Sequence, residues 1–158
     1  MTQVKTNAMR ILEKSEIPYK VITYSQQDGK IDGISIAEKI DKNPELVYKT
    51  LVTQGIDKKI FVFVIPVMEE LNLKKAAKVV EEKKIEMISV KDMEKHTGYI
   101  RGGCSPIGMK KRYRTFIDTS ASKIDTIIVS GGKIGVQIEL KVEDLKKATG
   151  AQLEDITR

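Results

Sequence analysis

Val4, Ala8, Ile11 and Leu12 recur at helical spacing, and after Pro18 the period changes: Tyr19, Val21, Ile22 and Tyr24 read as a strand. A polar loop, Ser25 to Gly33, follows. Ile36, Ala37 and Ile40 predict a short helix before Asn43-Pro44. Val47 to Val52 predicts a strand that turns through Gly55 to Lys59 into Ile60 to Ile65, so the two read as a hairpin. Leu71, Leu73, Ala76, Ala77 and Val80 mark one face of a lysine-rich amphipathic helix, and Ser89-Val90-Lys91-Asp92 is a capping box for the next. Thr115 to Asp118, Thr126 to Ser130 and Gly135 to Leu140 read as strands, the last two linked through Gly131-Gly132-Lys133. Val136, Ile138 and Leu140 alternate with Gln137 and Glu139, which predicts one buried face. A final helix over Val142 to Thr149 meets Gly150 where a C-terminal cap belongs. Helices and strands are interspersed without strict alternation, so a mixed α/β sheet or barrel is predicted rather than a doubly wound parallel sheet.

With 158 residues, 41% of them hydrophobic, the chain can bury one core, and residues 1–158 are expected to form a single domain. No basic-then-apolar leader follows Met1, and no apolar run approaches the roughly 18 residues of a membrane span. A cytoplasmic protein without a membrane partner is expected. Cys104 is the only cysteine and His96 the only histidine, so this chain alone builds neither an internal disulfide nor a cysteine-rich zinc site. Neither a metal nor a cofactor is expected. The balance of 28 Lys+Arg over 22 Asp+Glu, net +6, attracts polyanions. Aromatic residues make up only 5% and Trp is absent, so recognition of RNA would lean on phosphates rather than base stacking.

Against this background Lys49 stands out. Alternation puts it on one strand face with Val47 and Leu51, where its ammonium either snorkels to solvent or is held, partly desolvated, for an oxyanion or phosphate. Thr50 adds a hydroxyl on the other face. The stretch Gly102-Gly103-Cys104-Ser105-Pro106-Ile107-Gly108 must be a loop, and such loops expose several N–H groups to oxygen ligands. It matches neither the phosphate loop nor the dinucleotide fingerprint. Gly131-Gly132 suits a hairpin turn, with Ser130 just before it at a strand end. Nothing in the sequence brings His96 to Cys104 as a base, and Ser105-Pro106 lacks the nucleophile-elbow pattern. The densest basic cluster, Lys110-Lys111-Arg112-Tyr113-Arg114, follows the loop and reads either as a solvated edge or as a phosphate contact.

Tyr48-Lys49-Thr50-Leu51, Asn72 to Lys78, Thr97-Gly98-Tyr99 leading into Gly102 to Gly108 with Lys110-Lys111-Arg112, and Val129-Ser130-Gly131-Gly132-Lys133 occur in the order of the YbaK/EbsC family of aminoacyl-tRNA editing proteins, which the chain resembles over nearly its whole length. The resemblance implies a mainly antiparallel, barrel-like sheet surrounded by helices, related to the editing domain of bacterial prolyl-tRNA synthetases. It implies deacylation of mischarged tRNA, typically Cys-tRNA(Pro), with aminoacylated tRNA and prolyl-tRNA synthetase as partners. Lys49 matches the family's essential lysine and Gly103, beside Gly102, its pocket glycine. Ser130 matches its pocket serine, and Tyr24 and Thr50 other lining positions. Cys104 stands where relatives commonly carry an aliphatic residue, and Ile31 lies near the position of a pocket aromatic.

A synthetase pocket built for proline discriminates against similarly sized cysteine by only about 1 to 3 kcal/mol, so a second, hydrolytic site is needed. The family's chemistry is held to be substrate-assisted: the cysteinyl thiol attacks its own ester carbonyl and expels the tRNA, leaving a thiolactone. The protein then supplies orientation and charge stabilisation, through Lys49 and N–H groups near Gly103, rather than a nucleophile. Two other readings remain open, an Ala-tRNA(Pro) deacylase that uses water and a non-catalytic tRNA- or synthetase-binding module.

Overall fold

The computed structural model describes residues 5–158; Val4, the first apolar position of the predicted N-terminal helix, lies outside them. Among these residues five α-helices run over Asn7–Lys14 (α1), Gly33–Lys39 (α2), Leu73–Val79 (α3), Val90–Thr97 (α4) and Val142–Thr149 (α5). Eight strands run over Lys20–Thr23 (β1), Tyr48–Gln54 (β2), Ile60–Pro66 (β3), Glu86–Met87 (β4), Arg114–Asp118 (β5), Thr126–Lys133 (β6), Val136–Lys141 (β7) and Gln152–Glu154 (β8). The helix ends are where side-chain chemistry puts them. Thr6 caps α1 by accepting from the Met9 N–H, Ser89 caps α4 by accepting from Asp92, and Gly98 and Gly150 close α4 and α5 in the left-handed conformation.

The strands form a mixed α/β fold of two sheets, ordered β1-β7-β6 and β4-β2-β3-β5-β8. Pairing is antiparallel throughout the first sheet and across β4-β2-β3, and parallel for β3-β5 and β5-β8. No closed barrel forms among the described residues. A parallel bridge, Val47 to Ile128, joins the start of β2 to β6. One core lies between α1, α5 and the sheets, around Leu12, Val64, Ile117, Ile138 and Leu145. A second lies under α3, where Phe63 stacks on Phe116 at 5.6 Å. Burial of these two clusters is the main driving force holding the sheets in place.

Two features depart from the sequence reading. The short strands β4 and β8 are absent from it: β4 spans only two exposed residues and β8 follows the α5 cap directly, so neither carries a periodic signal. Gly131-Gly132 is not the hairpin turn. β6 continues to Lys133, which pairs with Val136, and the turn is Ile134-Gly135. The glycine pair lies at a register shift inside the strand, with Gly132 at φ +102°, and a Cβ on Gly131 would meet Val136 Cγ1 at 2.8 Å.

Candidate active site

Past the Val47–Ile128 bridge β2 and β6 are not paired, and β4 pairs with β2 only at Thr53 and Gln54. Short of Val52, whose carbonyl accepts from the Ile88 N–H, the edge of β2 facing away from β3 is unpaired, and a cleft of about 520 Å³ opens there. Because it opens on an edge, Tyr48, Lys49 and Thr50 all line it, although alternation sends their side chains to opposite faces. Ser130 of β6 and Gln137 of β7, directly paired across the sheet, supply another wall. Asp32, Gly33 and Ile36 close it from α2, and Arg101, Gly102 and Cys104 from the glycine loop.

Lys49 is half-buried, and its ammonium makes no hydrogen bond or ion pair among the described residues. Thr50 is just as unpartnered: among the described residues its Oγ1 is one of two side-chain polar atoms that are fully shielded from solvent yet make no hydrogen bond, the other being the Tyr24 hydroxyl. A buried hydroxyl left unsatisfied costs about 1 to 3 kcal/mol, which makes such atoms candidates for a ligand contact. Tyr24 does not line the cleft. Its N–H donates to the Gly135 carbonyl, its ring lies under Lys39 Nζ at 5.7 Å, and that ammonium ties down the Ser25–Gly33 loop through Ser25, Asp28 and Lys30. Ile31, where the resemblance leads one to expect an aromatic, does line the cleft, and a Cβ on Gly102 would meet its Cδ1 at 2.8 Å.

Gly103 is used differently from its neighbours. Its N–H donates to the Ile100 carbonyl at 3.0 Å, and a Cβ there would meet the Ile134 nitrogen at 2.9 Å, so the missing side chain lets the β6–β7 turn pack on the loop. The N–H groups of Gly102 and Cys104, both lining residues, reach no protein acceptor among the described residues. The Cys104 side chain packs with Val52, Ile60, Ile88 and Tyr99, and burial pushes its thiol up to about 12. A thiol so protonated is no nucleophile near neutral pH. His96 does not line the cleft; its carbonyl accepts from the Tyr113 hydroxyl.

The basic cluster lies off the cleft. Lys110 donates from Nζ to the Lys95 carbonyl at the end of α4, and Arg112 donates to the Lys147 and Thr149 carbonyls at the end of α5. Lys111 is exposed and uncommitted among the described residues.

Gln137 is the residue the sequence reading missed. Alternation sets it opposite the predicted buried face of Val136, Ile138 and Leu140, and no motif singles it out. The residue is 4% exposed, lines the cleft opposite Ser130, and its side chain makes no hydrogen bond among the described residues. Asp32, the acidic member of the lining, spends both carboxylate oxygens on Ser35, whose N–H and hydroxyl hold its carboxyl below the usual range. Among the described residues no group of three or more His, Cys, Asp or Glu could hold a metal ion, and no helix is long and apolar enough to cross a membrane.

Fold and cleft thus define an α/β domain that offers an anionic or acyl substrate two cations, hydroxyls, an amide and free N–H groups. The family described as aminoacyl-tRNA editing domain matches residues 34–148. An Enterococcus faecalis protein bearing the name of a Cys-tRNA(Pro)/Cys-tRNA(Cys) deacylase, EbsC, is 46% identical over 99% of this chain and 95% of its own length. The chain belongs to the aminoacyl-tRNA editing domain family. A crystal structure described as a trans-editing enzyme for prolyl tRNA synthetase has the same fold, with TM-score 0.84, 20% identity and 99% of each chain covered. So has hypothetical protein APE2540, with TM-score 0.87, 17% identity, 97% of this chain and all of the other covered.

Proposed function

We propose that this editing-domain protein is an aminoacyl-tRNA deacylase that clears cysteine from tRNA(Pro) in trans, with the substrate's own thiol as nucleophile. The observation that carries the reading is the cleft's composition. It presents an unpartnered ammonium and N–H donors, and its one thiol is protonated. The full-length relative named as a Cys-tRNA deacylase supports the choice of amino acid.

In this reading the 3′-terminal adenosine and its ester enter the cleft at the open edge of β2. The ammonium of Lys49 faces the ester carbonyl or the ribose oxygens, and the N–H groups of Gly102 and Cys104 supply the backbone donors. The cysteinyl sulfur, losing its proton, forms a C–S bond to the carbonyl carbon. The bond from that carbon to the ribose oxygen breaks, and the leaving oxygen takes up a proton, giving free tRNA and a thiolactone. Holding the thiol against the carbonyl replaces an encounter with an intramolecular step. Thr50, Ser130 and Gln137 fix the aminoacyl group, and Gly103 sets the loop against the β6–β7 turn. Because the terminal adenosine is common to all tRNAs, the choice of tRNA is left to prolyl-tRNA synthetase as partner in the cytoplasm.

The test is turnover on matched Cys-, Ser- and Ala-tRNA(Pro), with the released amino-acid product trapped. The cysteine ester is expected to be cleaved several orders of magnitude faster, since a well-oriented internal nucleophile contributes up to about 7 to 11 kcal/mol. Thiolactone is the expected product. Efficient cleavage of the alanine ester would replace the internal thiol by water, and binding without turnover of any ester would make the chain a tRNA-binding module.

A further inference from the structure

The cleft has a second cation that neither the lysine motif nor the basic cluster accounts for. Arg101 precedes Gly102 in the loop, is exposed, lines the cleft, and makes no hydrogen bond or ion pair among the described residues. The carboxylate sharing the lining, Asp32, accepts from Ser35 and forms no ion pair with Arg101 among the described residues. Lys49 is half-buried on the strand while Arg101 is exposed, so the two cations lie at different depths. Next to lining residues in the chain stand three exposed apolar side chains, Ile34 (50%), Met68 (61%) and Ile100 (49%). A free guanidinium in a cleft whose lining segments are flanked in the chain by exposed apolar residues suits a single-stranded nucleic acid end, where phosphates alternate with bases that offer flat apolar faces.

We propose that Arg101 is a positioning residue that binds the phosphate on the 5′ side of the substrate's terminal adenosine, holding the tRNA end while Lys49 works on the ester. The assignment rests on the deacylase reading and moves the phosphate contact from Lys110 and Arg112, which serve helix ends, to the rim of the cleft. A guanidinium fits a phosphate through two parallel N–H donors, which a lysine cannot reproduce. The Arg101 contact is made equally before and during reaction, so it contributes to binding rather than to the chemical step.

The experiment compares wild type, Arg101→Ala and Arg101→Lys on three substrates: Cys-tRNA(Pro), 2′(3′)-O-cysteinyl-adenosine 5′-monophosphate, and 2′(3′)-O-cysteinyl-adenosine without phosphate. Arg101→Ala is expected to raise KM about tenfold on the two phosphate-bearing substrates, as loss of a charge-assisted contact does, with kcat held within about twofold. Arg101→Lys is expected to recover part of this loss. On cysteinyl-adenosine the same variants are expected to match wild type within about twofold. An unchanged KM on Cys-tRNA(Pro), or an equal loss on the substrate without phosphate, overturns the assignment. Binding of uncharged tRNA(Pro) separates this proposal from the deacylase reading. If wild type cleaves no ester, weaker binding by Arg101→Ala still upholds the phosphate contact, and equal binding removes it.

Discussion

Arg101 and Arg112 are both exposed and belong to one stretch of loop, yet their surroundings differ. Arg112 reaches the last carbonyls of α5, and nearby Lys110 reaches those of α4. Helix C-termini carry unsatisfied carbonyls and a partial negative charge, so a cation within reach is drawn there. Arg101 and Lys49 have no such acceptor and line the cleft instead. The comparison teaches that charge density along a sequence does not by itself show which cations are left without a protein partner. The densest cluster is largely absorbed by helix ends, and the isolated cations remain available to a ligand.

That contrast can be broken in several places. Lys49→Ala is expected to lower kcat/KM for Cys-tRNA(Pro) at least about a hundredfold with an unchanged thermal midpoint, because a half-buried charge without a partner adds little to folding and much to a developing oxyanion. Near-normal turnover by the folded variant would take Lys49 out of the mechanism. Gln137→Ala is expected to raise KM about tenfold by removing an amide that can bond the aminoacyl group, and steady-state kinetics on Cys-tRNA(Pro) reads it directly. Arg112→Ala should do the reverse of Lys49→Ala, costing about 0.5 to 1 kcal/mol of stability in urea unfolding while turnover is retained. Lys111→Ala has the smallest expected effect. If this free member of the cluster touches a phosphate, the salt dependence of tRNA binding flattens by about 0.7 to 0.9 log units, and an unchanged slope returns it to solvent.

Most elements were legible because each carries a local chemical signal. Ser89 and Asp92 announce α4, Gly150 ends α5, and the run from Val47 to Ile65 folds as the predicted hairpin. Lys49, Thr50, Gly102 and Ser130 were legible as candidate site residues because motifs at family spacing single them out, and the structure brings all four to one cleft. What was not legible depends on how the sheets meet. Gln137 alternates with the predicted buried face, and only the end of β2–β6 pairing at the Val47–Ile128 bridge turns its side of the sheet into the wall of a cleft. Arg101 carries no motif, and its freedom is visible only once Lys110 and Arg112 are seen bonded to helix ends. The Gly131-Gly132 pair misleads for a local reason, since a register shift and a tight turn can both place a glycine at positive φ, as Gly132 is.

The central claim is that the cleft supplies charge and the substrate supplies the nucleophile. Single-turnover cleavage of Cys-tRNA(Pro) by Cys104→Ala, measured between pH 6 and 9 beside wild type and Lys49→Ala, tests it most directly. The Cys104 thiol, held up to about 12 by burial, stays protonated across that range, so its loss should leave the rate within about threefold of wild type at every pH, while Lys49→Ala remains at background. A dead Cys104→Ala beside an active Lys49→Ala would contradict the account and make the protein's own thiol the nucleophile.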